Sequence, residues 1–131
     1  MTDERTTIHE LRQLVDDFVS QRDWHQFHTP KNLAISLSIE AAELLEHFQW
    51  IDAQESRAIS QNAARLAAVG EELADVACYT LAMANELGID LSQAIRDKMV
   101  KNAQKYPADE YRGRWGAGDA RGGRSERDRT T

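Results

Sequence analysis

Apolar residues recur every three or four positions along most of the chain, a spacing that predicts helices. Thr7 and Glu10 fit a capping box before an amphipathic segment, so a first helix is predicted from about residue 7 to 22. Thr29 and Pro30 are typical of a helix start, with threonine as the N-cap and proline in the first turn. A second helix is therefore predicted from about residue 30 to 49.

Two further helices follow a polar connection. Residues 51–58 predict a loop or a single turn, and a third helix is predicted over 61–87, with a break near Gly70 left open. Leu87 followed by Gly88 is a typical helix end. A fourth helix is predicted from Asp90 or Leu91 to near Tyr106. With no strand-like alternation and no internal repeat, the pattern predicts an all-α fold, a four-helix bundle.

The apolar surface is larger than one such bundle needs. A helix that is apolar on more than one side is usually buried on more than one side, and the second and third helices have this character. We therefore expect a homo-oligomer. The predicted core positions are Leu33, Leu37, Ala41, Leu44 and Phe48 on the second helix, and Leu73, Val76, Ala77, Leu81 and Ala84 on the third.

Composition divides the chain into a helical domain, residues 1–106, and a polar tail, residues 107–131. The tail is rich in Gly and Arg, and much of it is predicted to be disordered.

The formal net charge is −6, and an acidic body argues against binding to a nucleic-acid duplex. The single cysteine, Cys78, favours a reducing compartment. No secretory signal and no membrane span is predicted, so we expect a cytoplasmic protein.

Paired carboxylates are the main candidates for chemistry. Glu40 and Glu43 lie three residues apart on the second helix, and Glu72 and Asp75 repeat that spacing on the third. Residues three apart share a helical face. Four converging carboxylates are costly to bury without a positive partner, and they suit a hard cation, Mg²⁺ or Mn²⁺.

Two alternatives compete with this interpretation. A single Glu-x-x-Glu pair is usually a solvated helix face. Two such pairs, each flanked by core residues, fit a metal site and a solvated face about equally well. A di-iron bundle would use Glu-x-x-His pairs, whereas Glu46 stands three residues after Glu43 and the third helix has no histidine.

Other side chains fit a phosphorylated, aromatic substrate. Trp24, Trp50 and Tyr79 could stack a nucleobase, although the aromatic residues around position 24 could equally form a loop folded over the core edge. A basic stripe on the fourth helix would complement phosphates, and it comprises Lys98, Lys101 and Lys105. These features together describe a nucleoside triphosphate site.

The spacing Glu40-x-x-Glu43, 28 intervening residues, then Glu72-x-x-Asp75 resembles the MazG-type all-α nucleoside triphosphate pyrophosphohydrolases, and most of all their dCTP pyrophosphatase branch. The resemblance covers about residues 7–107. It includes Arg-Asp-Trp at 22–24, Phe-His-x-Pro-x-Asn at 27–32 and Phe-Gln-Trp at 48–50. The 51–70 connection and the arginine-rich tail depart from the family pattern.

The resemblance implies hydrolysis between the α and β phosphates, giving a monophosphate and pyrophosphate, with dCTP or a modified dCTP as the expected substrate. It assigns Mg²⁺ to the four carboxylates and water activation to Glu40 or Glu43. It also implies a homotetramer with shared sites. The substrate-binding residues that it implies are Trp24, His28, Asn32, Trp50, Tyr79, Lys98, Asn102 and Tyr106. A non-catalytic helical module that binds nucleotides or proteins is the alternative.

Overall fold

The computed structural model describes residues 1–114, which contain six α-helices, one 3-10 turn and no β-strand. The all-α prediction is confirmed for this part of the chain. The predicted disorder of the tail falls, beyond residue 114, outside the described residues. The helices are α1 (Ile8–Gln21), α2 (Pro30–Glu46), α3 (Ala53–Ala58), α4 (Ala63–Leu87), α5 (Leu91–Lys105) and α6 (Ala108–Tyr111), and the 3-10 turn is Ile59–Gln61.

Local capping interactions fix the ends of the long helices. At the start of α1, the Thr7 backbone N–H donates to Glu10 Oε2 at 2.6 Å, and the Glu10 backbone N–H donates to Thr7 Oγ1 at 3.1 Å, which completes the predicted capping box. Thr29 Oγ1 accepts from the Asn32 backbone N–H at 3.2 Å and caps α2. Gly88 ends α4 with φ of +63°, a left-handed conformation that favours glycine.

The connection between α2 and α4 is more ordered than a loop. Asp52 accepts a 2.8 Å hydrogen bond from the Glu55 backbone N–H, and this cap starts the short helix α3. Asn62 caps α4 in the same way, through a 3.1 Å bond from the Arg65 backbone N–H. From there α4 continues through Gly70 without a break. The connection between the two carboxylate-bearing helices, α2 and α4, thus contains helical turns of its own.

The core lies between α1, α2 and α4, with α2 packed extensively along α4. Its buried members are Val19, Leu33, Ile59, Leu81, Ala82 and Ala84. Three predicted core residues are instead exposed, namely Ala41, Leu73 and Ala77. Leu73 is 56% exposed and Ile39 on α2 is 53% exposed, because these faces of the two helices look away from the seam that they share.

Arg12 ties α1 to the end of α4. Its guanidinium donates to Asn85 Oδ1 at 2.9 Å and to two backbone carbonyls, Ile89 at 2.7 Å and Ala84 at 3.2 Å. Asn85 Nδ2 returns a 3.1 Å bond to the Arg12 carbonyl. Backbone carbonyls at a helix end lack helical partners. The Arg12 side chain donates hydrogen bonds to two carbonyls there and so holds α1 against the end of α4.

The chain forms two compact units, residues 1–91 and 92 onwards. The second unit contains nearly all of α5, followed by α6, and its Tyr106 and Tyr111 rings meet edge to face with centroids 5.2 Å apart. Within residues 1–114, none of the helices combines the length and apolarity that crossing a bilayer requires.

Candidate metal centre and adjoining pocket

Three of the four predicted carboxylates come together where α2 faces α4. Glu40, Glu43 and Glu72 each place one carboxylate oxygen within 4.8 Å of the others, and all three side chains are half-buried. The i, i+3 spacing puts the first two on one face of α2, and the packing of α4 against that face adds the third. We refer to these three residues as the carboxylate cluster.

Crowding of negative charge raises pKa values within the carboxylate cluster. A hydrogen bond with Glu43, followed by burial and by the charges of Glu43, Asp75 and Glu72, raises the pKa of Glu40 to about 7. Burial and the charge of Glu43 also raise the pKa of Glu72. Glu40 Oε2 and Glu72 Oε2 are buried and have no hydrogen-bond partner among residues 1–114. Buried carboxylate oxygens without partners are costly, so the cluster calls for a positive ligand.

A hard divalent cation fits this arrangement. Carboxylate oxygens are the ligands that Mg²⁺ and Mn²⁺ prefer, and Mg²⁺ binds them at about 2.1 Å, which places opposite ligands about 4.2 Å apart. Oxygens that lie within 4.8 Å of one another can therefore share one ion after a small adjustment. The two unpartnered oxygens, one from each helix, would then gain the partner that the protein does not provide.

Asp75, the fourth predicted ligand, is exposed and falls outside this three-residue group. It still lies close enough for its charge to raise the pKa values of Glu40 and Glu72. It also lines a neighbouring cavity. Asp75 therefore stands between the carboxylate cluster and that cavity.

The cavity, called here the aromatic pocket, has a volume of about 320 Å³, near the lower end of the range typical of small-molecule sites. It lies between α1, α4 and the loop formed by residues 22–29. Trp24, His28 and Tyr79, all predicted to bind substrate, line it. The other lining residues are Leu14, Val15, Phe18, Val19, Asp75, Cys78 and Ala82.

Stacked rings form one wall of the aromatic pocket. Phe18 and Trp24 meet edge to face with centroids 5.7 Å apart, and His28 lies 6.4 Å from Trp24. The Arg22 guanidinium covers the Phe18 ring at 3.7 Å from its centroid. His28 Nδ1 is buried and has no hydrogen-bond partner within residues 1–114. The wall is thus aromatic, with rings inclined to one another, and carries one buried polar atom without a partner among residues 1–114.

Sequence reasoning did not identify several lining residues. Leu14, Val15 and Phe18 belong to the amphipathic α1, and Leu14 is 57% and Phe18 49% exposed. Their helical spacing alone does not distinguish a pocket wall from a core face. Cys78 also lines the pocket, and burial together with the charge of Asp75 raises the pKa of its thiol. A raised pKa makes Cys78 a poor nucleophile.

The remaining predicted residues are placed differently. Within residues 1–114, the lining of the aromatic pocket includes neither Asn32 nor Trp50. Asn32 Nδ2 donates to the Phe27 carbonyl at 3.0 Å and thereby supports the loop, while Trp50 is 87% exposed. Lys98, Asn102 and Tyr106 belong to the second unit, where Asn102 is half-buried and the Lys105 ammonium lies 5.4 Å from the centre of the Tyr106 ring.

The comparisons of this chain with known proteins agree with one another. A sequence model of the MazG-like family matches residues 35–116. Mouse dCTP pyrophosphatase 1 is 41% identical over 107 residues, which are 82% of this chain and 63% of that protein. The human protein of the same name is 40% identical over 102 residues, 78% of this chain and 60% of that one. The chain thus spans less than two thirds of the length of these curated relatives.

A solved structure extends the likeness to the fold. The crystal structure of a pyrophosphatase from Archaeoglobus fulgidus matches with a TM-score of 0.69 and 38% identity, covering 82% of this chain and 98% of that one.

Proposed function

The chain belongs to the MazG-like family, and on that basis we propose that it is a Mg²⁺-dependent nucleoside triphosphate pyrophosphohydrolase. Its substrate is dCTP or a modified dCTP, and its products are the monophosphate and pyrophosphate. The observation that carries this proposal is the carboxylate cluster with its two unpartnered oxygens, adjoining an aromatic pocket through Asp75. The names of the mouse and human relatives favour dCTP.

In this proposal Glu40, Glu43 and Glu72 hold the metal ion, and Asp75 completes the acidic site from the side of the pocket. Mn²⁺ would fit the same oxygens. A bound divalent ion supplies Lewis-acid stabilisation of charge on the phosphate oxygens. One carboxylate of Glu40 and Glu43 orients the attacking water and accepts its proton. In the metal-free protein the pKa of Glu40 is about 7, and the charge of a bound ion would lower it, leaving Glu40 ionised near neutral pH and able to accept a hydrogen bond from the attacking water.

The aromatic pocket is the proposed site of the base. Trp24 and Tyr79 offer ring faces for stacking, which is worth about 1–3 kcal/mol per base in other proteins. The buried His28 Nδ1 is available to recognise the edge of the base or the sugar. Trp50 and Asn32 remain proposed contacts at the rim. Lys98, Asn102 and Tyr106 are proposed to reach the phosphates or the sugar, in the same subunit or in a neighbouring one.

We further propose that the helical domain ends near residue 106, that its four long helices form the bundle, and that four copies assemble. The exposed apolar side chains on α2 and α4 support assembly, since large apolar patches on a surface usually mark interfaces. Ile35 and Ile39 on α2 are 49% and 53% exposed, and Leu66 and Leu73 on α4 are 47% and 56% exposed.

The test is a pair of matched substitutions on α2. Glu43→Gln removes one charge from the cluster, whereas Glu46→Gln removes one from an exposed position less than a turn away. With dCTP and Mg²⁺, Glu43→Gln is expected to lose at least 100-fold in kcat/KM, and Glu46→Gln to stay within twofold of the parent. Thermal unfolding and circular dichroism of both variants establish that they fold.

Full turnover in a folded Glu43→Gln variant would overturn the assignment of the cluster. Tight binding of dCTP by the parent protein with no product in excess Mg²⁺ would instead support the non-catalytic alternative.

A further inference from the structure

His25 connects three separate parts of the first unit. Its Nδ1 hydrogen-bonds to Glu86 Oε1 on α4, a residue 61 positions away in the chain. Its Nε2 lies 2.9 Å from Ser20 Oγ and 3.3 Å from Asp16 Oδ1, both on α1. The ring therefore bridges α1 and α4 from within the loop at residues 22–29, which carries Trp24 and His28 on either side of it.

This group is a bridge rather than a metal site. A metal ion would need one imidazole nitrogen and both carboxylates to converge on a single point. Here the two carboxylates bond to opposite nitrogens of the ring, so they are held apart by it. An imidazolium can donate to both carboxylates, whereas a neutral ring protonated on Nδ1 donates to Glu86 alone and accepts from the Ser20 hydroxyl at Nε2.

The loop contains one residue in an uncommon backbone conformation. Asp23 has φ of +52°, in the left-handed region, which aspartate adopts more often than most residues other than glycine but still at a cost. Other bonds join the loop to itself and to α1, among them the Trp24 backbone N–H to the Val19 carbonyl at 3.0 Å and Gln26 Nε2 to the Asp23 carbonyl at 3.0 Å, whereas the His25 bond reaches α4. A strained segment persists only where its surroundings hold it in place.

We propose that His25 is a positioning residue, which clamps this loop to Glu86 and Asp16 and thereby sets the positions of Trp24 and His28 in the aromatic pocket. The kinetic part of the inference rests on the proposed function, because it takes the pocket as the binding site of the base. The structural part, that His25 holds the loop, stands without it.

The charged groups that face His25 have one sign. They are Asp16 from α1, Glu86 from α4 and Asp23 from the loop itself, and together with the Glu86 hydrogen bond as the largest cause they raise the pKa of His25 above 6.5. A group with a raised folded-state pKa contributes stability that is complete below its unfolded value and is lost as pH rises through the folded value. The clamp should therefore weaken as the pH rises above 6.5 through the pKa of His25.

Two substitutions and a matched control test the clamp. His25→Gln keeps a polar side chain but loses the charge and the two opposed ring nitrogens, and Glu86→Gln removes the negative charge of the partner on α4. His9→Gln, at an exposed position in the first turn of α1, is the control. Hydrogen exchange at the Trp24 and His28 backbone amides reports on the loop without any catalysis, and steady-state kinetics with dCTP and Mg²⁺ report on binding.

Both His25→Gln and Glu86→Gln are expected to accelerate exchange at the two amides about two- to fivefold, as for a partly exposed ion pair, and to raise KM by a similar factor with kcat changed less than twofold. The double variant should change both quantities by less than the product of the two single effects, since both substitutions weaken the His25–Glu86 bond, while His25→Gln also loses the contacts with Ser20 and Asp16. In the parent protein KM should rise above pH 6.5, and His25→Gln should remove that rise, while His9→Gln should alter none of these quantities.

Unchanged amide exchange in both variants overturns the clamp. Faster exchange with unchanged KM overturns the link between the clamp and the pocket. If the parent protein turns over no nucleotide, the proposed function fails, and the exchange measurement still decides whether His25 holds the loop.

Discussion

Metal binding at the carboxylate cluster should release protons, because the pKa of Glu40 is raised in the metal-free protein. The pKa of Glu40 is about 7 because Glu43 shares a hydrogen bond with it and three negative charges surround it. A metal ligand must be deprotonated, so binding of the ion displaces the proton. With a pKa of about 7, Glu40 carries about three quarters of a proton at pH 6.5 and about one quarter at pH 7.5. Mg²⁺ binding should release at least those amounts per site.

Isothermal titration calorimetry measures this release directly. Mg²⁺ or Mn²⁺ is titrated into metal-free protein at pH 6.5, in two buffers that differ in ionisation enthalpy. The difference between the two observed enthalpies gives the number of protons released. The titration is then repeated at pH 7.5. Glu40→Gln should bind the ion more weakly and lose this release, and Glu46→Gln, outside the cluster, should retain both.

Tight metal binding by the parent protein without proton release at pH 6.5 would refute the reasoning, since it would mean that Glu40 is already ionised. Equal release from the parent and from Glu40→Gln would place the titrating group elsewhere.

Three further predictions concern Glu40, Trp24 and Leu33. In EDTA, the unfolding temperature should fall as pH rises from 4.5 to about 7, because the folded state raises the pKa of Glu40 and so favours its protonated form; thermal scans of Glu40→Gln should lack most of that fall. Trp24→Ala should raise KM for the nucleotide about five- to 150-fold through lost stacking, and Trp24→Phe much less, so equal kinetics for all three proteins would exclude stacking there. Leu33→Ala, at a side chain that is 1% exposed, should lower the free energy of unfolding by about 2–5 kcal/mol in urea titrations, and a loss below about 1 kcal/mol would contradict its place in the core.

The features that the sequence predicted well are those set by neighbouring residues. The capping box at Thr7 and Glu10 and the cap at Thr29 involve residues only three apart, so their chemistry is visible in the local sequence. Glu40 and Glu43 belong to the same class, because the helical repeat alone puts them on one face. Pairing them with Glu72 needed only the assumption that two strongly apolar helices pack together.

Features that depend on how distant segments meet could be predicted only in part. The aromatic pocket exists because α1 and the loop at residues 22–29 lie beside α4, and no local pattern fixes that arrangement. Asp75 illustrates this, since its i, i+3 spacing from Glu72 predicts a fourth ligand, while its position beside both the cluster and the pocket is visible only in the folded protein. His25 bonds to Glu86 across 61 residues, so its role could be seen only in the folded protein.

A substrate panel with product identification decides whether the protein hydrolyses the α–β phosphate bond of a nucleoside triphosphate. The four deoxyribonucleoside and four ribonucleoside triphosphates are each incubated with and without Mg²⁺, and pyrophosphate, phosphate and the nucleotide product are measured. We predict Mg²⁺-dependent release of pyrophosphate and a monophosphate, most rapidly from dCTP, with Glu43→Gln inactive. Release of inorganic phosphate and a diphosphate, or no Mg²⁺-dependent product from any of the eight, would contradict it.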